Sequence, residues 1–129
     1  MSDLHPNLAL LAQLDTQNMA VSAHLFADGV VFHYFNSNLP ELQGEHHGRD
    51  GVRAFFEALA EKSHGTFWVE PVFGRPVGRE LVVVHSQNAL TLNEQTIIID
   101  VVVVWRIVGG LIVEVWDIVP SQPTEVQDA

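Results

Sequence analysis

Leu4, Leu8, Leu11 and Leu14 recur every three or four residues at the start of the chain. That is the spacing of one helix face, and Pro6 is tolerated there because it falls in the first turn. Asp15-Thr16-Gln17-Asn18 breaks the pattern and offers N-caps for a short helix over about 18–26. Ala27-Asp28-Gly29 predicts its end, and the β-branched and aromatic run that follows predicts a strand over 30–35. Asn36 to Arg49, with Pro40, Gly44 and Gly48, reads as a loop. Asp50 is placed to cap a third helix over 51–63, with Val52, Phe55, Phe56 and Leu59 as its apolar stripe. Gly65 stands where a helix C-terminus favours a left-handed residue. Beyond it the pattern predicts strands over 66–73, 81–92, 95–108 and 111–119, then a loose tail over 120–129 carrying two prolines and two acids. Helices first and an antiparallel meander afterwards predict an α+β fold with the helices on one face of the sheet.

The last hairpin sets which side chains share a face. A three-residue turn at Val108-Gly109-Gly110 pairs Ile107 with Leu111, Val103 with Val115 and Val101 with Asp117. A two-residue turn would change those partners but leave each strand's alternation intact. By alternation, Ile97, Ile99, Val101, Val103, Trp105, Val113, Val115 and Asp117 lie on one face. Ile98, Asp100, Val102, Val104, Arg106, Ile112, Glu114 and Trp116 lie on the other. One face must meet the helices. The other is too apolar to stand in water, so a second copy is its expected cover, with Ile98, Val102, Val104 and Trp116 at the contact. Arg106 and Glu114 are expected there as a cross-strand ion pair.

Composition narrows the possible functions. The chain has 129 residues, 47% hydrophobic and 17% charged, which fits one folded domain over 1–129 with an ordered core over about 4–119. A formal charge of −10 disfavours nucleic acid and anionic membrane surfaces as partners. The absence of cysteine removes disulfides, thiolate zinc sites and cysteine nucleophiles. The opening residues Met1-Ser2-Asp3-Leu4-His5-Pro6 carry no basic leader, and the apolar run around Ile97 to Val104 is interrupted by Asp100. It is much shorter than the roughly 20 residues of a membrane span, so the expected location is the cytoplasm.

Four stretches resemble one family. Leu25-Phe26-Ala27-Asp28-Gly29-Val30-Val31-Phe32-His33 is similar to the helix-to-strand passage of the nuclear-transport-factor-2-like superfamily. Gly44-Glu45-His46-His47-Gly48-Arg49-Asp50-Gly51-Val52, followed by Phe55-Phe56, is similar to its G-x-x-x-G-R-x-x-V start of the third helix. Gly65-Thr66-Phe67 and the run from Val104-Trp105-Arg106-Ile107 through Gly110 and Ile112-Val113-Glu114 to Trp116-Asp117 resemble the later strands of SnoaL-like members. The resemblance covers about 8–119. It implies a cone-shaped, cystatin-like α+β barrel in which three N-terminal helices pack on a curved, mainly antiparallel sheet around an apolar pocket. Relatives include ketosteroid isomerases, polyketide cyclases, limonene epoxide hydrolase, scytalone dehydratase and non-catalytic ligand-binding or dimerisation domains, so the fold alone does not decide the function.

Position by position, the resemblance removes some chemistries. The ketosteroid isomerase base position carries Tyr34, and its oxyanion-hole tyrosine and aspartate positions carry Leu10 and Val103. Asp15 matches the aspartate of the dehydratase Asp–His pair, whose histidine would follow Thr66, where this chain has Phe67-Trp68. As a turn or cap residue, Asp15 needs no catalytic role. Asp117 matches the late aspartate of the cyclases and the epoxide hydrolase, while Val115 replaces the histidine of E-H-W-D relatives. Asp117 is thus the leading acid–base candidate, an isolated charge on an apolar face where desolvation raises a carboxyl pKa.

Tyr34 is the expected hydrogen-bond donor, since the match turns it inward and His33 outward. His85 and Asp15 are the second ionisable candidates, and a structural histidine is the alternative reading for His85. Phe32, Phe55, Trp68, Val101, Val103, Trp105 and Val115 are the expected walls of the ligand pocket. Glu45-His46-His47 lacks a ligand-spaced partner, so no metal and no cofactor are expected. The resulting expectation is a domain that binds a small, largely apolar molecule, with isomerase, cyclase, dehydratase or hydrolase chemistry on one reading and binding or dimerisation alone on the other.

Overall fold

The computed structural model describes residues 5–128, and the side chains as far as Gln127. Leu4, the first apolar position expected in helix one, and the residues read for a leader before it lie outside the described residues, as does Ala129.

Helix α1 spans Pro6–Leu11, with Pro6 in its first turn and the His5 Nδ1 accepting from the Asn7 N–H at its start. Helix α2, Met19–Ser22, runs into a single 3-10 turn at Ala23–Leu25. Strand β1, Phe26–Phe35, starts four residues earlier than expected. Ala27-Asp28-Gly29 does not end a helix but forms an irregularity inside the strand, where pairing slips between Phe26 and Val31. Arg49 holds this irregularity by donating to the Phe26 carbonyl at 2.7 Å and pairing with Asp28 at 2.7 Å. That contact explains the arginine of the glycine-rich segment.

The expected 36–49 loop contains a strand. Strand β2, Gly44–His47, pairs antiparallel with β1, and helix α3, Gly48–Lys62, begins at once. Asp50 is therefore inside the first turn, where its charge suits the helix dipole, and it is not the N-cap. The helix closes as expected, with Gly65 at φ +78° donating to the Ala60 carbonyl.

Strands β3 (Trp68–Val77), β4 (Leu81–Leu92), β5 (Gln95–Val108) and β6 (Leu111–Ile118) form the meander. The sheet order is β2-β1-β6-β5-β4-β3, with β1 and β6 parallel and the other pairs antiparallel. It curves around the helices without closing, since β2 and β3 stand at opposite edges. The tail expected to be loose returns as strand β7, Glu125–Asp128, against Gln95 to Ile98 of β5. The reason is the length of β5: β6 pairs only from Val102 to Val108, which leaves the first part of β5 unpaired on that side. An unpaired strand edge is a template, and the chain leaving β6 turns back through Pro120 and Pro123 to use it.

The β5–β6 turn has two residues. Gly109 and Gly110 adopt φ +60° and +77° between the pair Val108 and Leu111, as a type I′ hairpin requires. One extra residue in β6 then puts Asp117 opposite Val103 and Val115 opposite Trp105. A slip between Arg106 and Ile107 makes Val113 the extra residue, which turns Ile112 inward to full burial instead of outward.

Helix α3 lies over β1 and β2. Phe55 packs between Tyr34, Phe32 and Phe56 with ring centroids 4.5, 4.8 and 4.9 Å away. The face of β3, β4 and β5 is left to α1, which approaches closely at Gly74, where a Cβ would come within 3.3 Å of a Leu8 methyl. This uneven cover is what leaves room for a cavity.

Candidate functional site

The cavity has a volume of about 570 Å³ and lies between α1 with the 12–17 turn and strands β3 to β5. Leu8, Leu11, Val72, Val84, Val103 and Trp105 make it largely apolar, with Trp68 and Asp15 also in its lining. Of the expected walls, Trp68, Val103 and Trp105 therefore take part. Phe32, Phe55, Val101 and Val115 are buried in the packed core and do not line the cavity. Phe55 is part of α3 and packs on Phe32, and Val101 and Val115 are fully buried in the same core cluster.

Asp15 is exposed and organises its own turn, its Oδ1 accepting from the Gln17 N–H at 3.0 Å. This is the turn role. His85 does not join the cavity. Ser86 and Asn88 take the inward positions of β4, so alternation sends His85 out to Asp100 at 2.7 Å. Thr124 donates to the other Asp100 oxygen at 2.6 Å, and these hydrogen bonds hold the Asp100 carboxyl below its ordinary value. The cluster clips the returning tail to the sheet. His33 also faces outward, bonded to Glu114 at 2.7 Å and stacked on Trp116. Arg106 pairs with Glu80 at 3.0 Å and reaches Glu114 only at 4.0 Å.

Asp117 and Tyr34 do come together. They are direct neighbours in the parallel pairing of β1 and β6, and both face the interior. The row continues across the sheet through Val103 and Val84 to Gly74. The last three line the cavity, so Asp117 sits one strand behind its wall, roughly 5 Å by the usual strand spacing. Among the described residues, Asp117 Oδ1 is a buried side-chain oxygen with no hydrogen-bond partner. Burial raises its pKa to about 7, because the charged form has lost its hydration. Burial likewise pushes the Tyr34 hydroxyl up to about 12, against the lowering effect of a hydrogen bond from Asn36 and with a smaller push from Asp117.

Three polar residues not singled out from the sequence complete this interior: Asn36, Ser86 and Asn88, all buried. Ser86 donates to Asn88 at 3.0 Å and lines the cavity. Asn36 borders a second hollow of about 440 Å³ at the other end of the row, beneath the returning tail. Ser86 and Asn88 share the parity of Val82 and Val84, a periodicity visible in the sequence although that apolar run does not say which face meets the helices. Asn36 carried no such signal, since it begins a loop. No group of metal-ligating side chains is found among the described residues.

Residues 8–115 match the model of the SnoaL-like domain family. A protein of cystatin-like fold from Xanthomonas campestris is 22% identical, covers 95% of this chain and 93% of its own, and superposes with a TM-score of 0.78. TerC, co-crystallised with polyporic acid, is 18% identical over 89% of this chain and 92% of its own, with a TM-score of 0.76. A putative SnoaL-like polyketide cyclase from Jannaschia sp. CCS1 is 15% identical over 92% and 89%, with a TM-score of 0.72. Identities this low establish a shared fold. Among curated proteins nothing matches the sequence significantly.

Proposed function

Because the chain belongs to the SnoaL-like domain family, we propose that it binds a small, largely apolar molecule in the cavity and performs acid–base chemistry on it through Asp117. The observation that carries this reading is the buried Asp117 carboxyl with an unpartnered oxygen and a pKa near 7, one strand behind the cavity wall. Such a group is half protonated at neutral pH, so it can both give and take a proton. A ligand that displaces the Val103 side chain reaches it, with the Tyr34 hydroxyl alongside. Isomerisation, cyclisation, dehydration and hydrolysis are the reaction types a single carboxyl of this kind serves. The binding of polyporic acid by TerC supports small-molecule binding within this fold.

The second reading is a ligand-binding or dimerisation domain without turnover. It is favoured by the lack, among the described residues, of a second ionisable side chain hydrogen-bonded to Asp117, with His85 on the far face and Asp15 tied to its turn. Asp117→Asn separates the two. On the catalytic reading, turnover of a substrate falls by about 10² or more while binding persists. Unchanged turnover in that variant excludes the acid–base role.

We also propose that the protein works as a homodimer through the outer sheet face. Val102, Ile118 and Phe35 are exposed there beside the half-buried Trp116, Val104 and Ile98.

A further inference from the structure

We infer that the outer sheet face pairs with a second copy of the chain about a two-fold axis that runs parallel to the strands, between β5 and β6, so that Arg75 of each copy meets Glu45 of the other. The inference deepens the homodimer proposed above and rests on it.

The strand register lays the outward side chains in rows across the sheet. One row runs Arg75, Val83, Val104, Trp116, His33 and Glu45, from β3 at one edge to β2 at the other. On one side of it lies a row with Val102 beside Ile118 at its centre, and on the other side a row with Arg106 beside Glu114. With six strands in the order β2-β1-β6-β5-β4-β3, the middle of the face falls between β5 and β6.

Two like faces that close on each other are related by a two-fold axis lying in the contact plane. An axis along the strands exchanges β3 with β2, β4 with β1 and β5 with β6. Val102 then meets the partner's Ile118, Val104 the partner's Trp116, Arg106 the partner's Glu114 and Arg75 the partner's Glu45. Apolar side chains meet apolar ones, and each arginine meets a carboxylate. An axis across the strands, along the central row, instead lays every strand over its own copy. Arg75 then meets Arg75 and Glu45 meets Glu45, while the Arg106–Glu114 row falls on Val102 and Ile118. Like charges brought together and charges buried against apolar groups both cost affinity, so the charge pattern selects the axis along the strands.

The two edge residues are free to make this contact. Arg75 is exposed and, among the described residues, has no carboxylate within 4 Å, unlike Arg49, Arg53, Lys62 and Arg106. Glu45 is exposed as well, and its ionisable neighbours within that distance are His33 at 3.5 Å and His47 at 3.2 Å, neither of them a permanent cation. Packed sheets cross at about 30°, which displaces the edges of a face this wide by roughly 6 Å. Arginine and glutamate are long enough to follow.

Charge reversal read by sedimentation at pH 7 tests the axis. Arg75→Glu sets carboxylates against each other at both edges of the dimer, and Glu45→Arg sets arginines against each other. Each variant alone should dimerise about tenfold or more weakly than the unaltered protein. An equimolar mixture of the two should recover a heterodimer of nearly the original affinity, because opposite charges then meet at both edges. Val102→Lys mixed with Ile118→Glu tests the same axis at its centre, and it stands in if the Glu45→Arg chain does not fold. Recovery on mixing is the expected result, since a merely local effect of either substitution would persist in the mixture. Single charge reversals that dimerise as well as the unaltered protein overturn the inference, and so does a folded pair that fails to recover on mixing; the homodimer reading survives both results. If the unaltered protein sediments as one chain, the homodimer reading itself fails and the inference fails with it.

Discussion

Among the described residues Oδ1 of Asp117 is buried with no hydrogen-bond donor to steady a negative charge, and that has a consequence for folding as well as for chemistry. Burial raises the carboxyl pKa to about 7 in the folded protein, against 3.8 for the free side chain. A raised folded-state value means that stability is fully present below about pH 3.8 and is lost as pH rises toward 7, because the unfolded chain ionises first. The loss is on the order of 4 kcal/mol. Asp117→Asn does not titrate, so its stability relative to the parent protein should climb by that order between pH 4 and pH 8. Urea unfolding at both values checks this, and a constant difference would mean that Asp117 is hydrated. The inward position of Asp117 was legible from strand alternation alone, as was Tyr34 from the family match. His85 was not, because its facing depends on β4 and nothing in Val82-Val83-Val84 says which parity meets the helices. Phe32 was misread for a different reason. An aromatic position on an inner face does not reveal whether a helix fills the space above it, and here α3 does, with its Phe55 ring 4.8 Å from Phe32.

Between residues and the whole stand the elements, and their ends were harder to read than their cores. Strands β4 and β5 occupy the spans that apolar patterning predicts, whereas β2 and β7 were missed. Both missed strands are four residues long and polar, and each exists only because a longer neighbour offers unpaired backbone. No local pattern encodes that. The turns carry their own energetics. The β4–β5 hairpin puts Asn93 at φ +51° and Glu94 at φ +65° between the pair Leu92 and Gln95. Asparagine tolerates the left-handed region, but glutamate has no local compensation for its Cβ there. Glu94→Gly should therefore stabilise the protein by about 0.5–1 kcal/mol after allowance for the greater freedom of glycine in the unfolded chain. The urea midpoint should rise with an unchanged slope, and a fall would show that Glu94 makes a compensating contact.

For the molecule as a whole, the sheet has two unlike faces. The inner one holds the core and the cavity. The outer one carries Val102 at 42%, Ile118 at 45% and Phe35 at 47% exposure, flanked by the His33–Glu114 and His85–Asp100 pairs. Among the described residues no helix is long and apolar enough to cross a membrane. The homodimer proposed above would cover an apolar patch of this kind. Light scattering at micromolar concentration should give twice the 14.3 kDa chain mass, and Val102→Lys, near the middle of the patch, should return the value of one chain. A parent protein that already scatters as one chain removes the homodimer. Strand β3 has another significance. It is both the outermost strand on its side and one wall of the cavity, with Trp68, Val72 and Phe73 more than half exposed. Substitutions there remove few core contacts, so they fall in the range of surface changes that alter stability by less than about 0.5 kcal/mol. Yet the same residues shape what the cavity admits. On the binding reading proposed above, foldability and ligand choice would be written in different strands, and a lineage carrying this domain could drift from one small molecule to another by mutating a strand that the core scarcely notices.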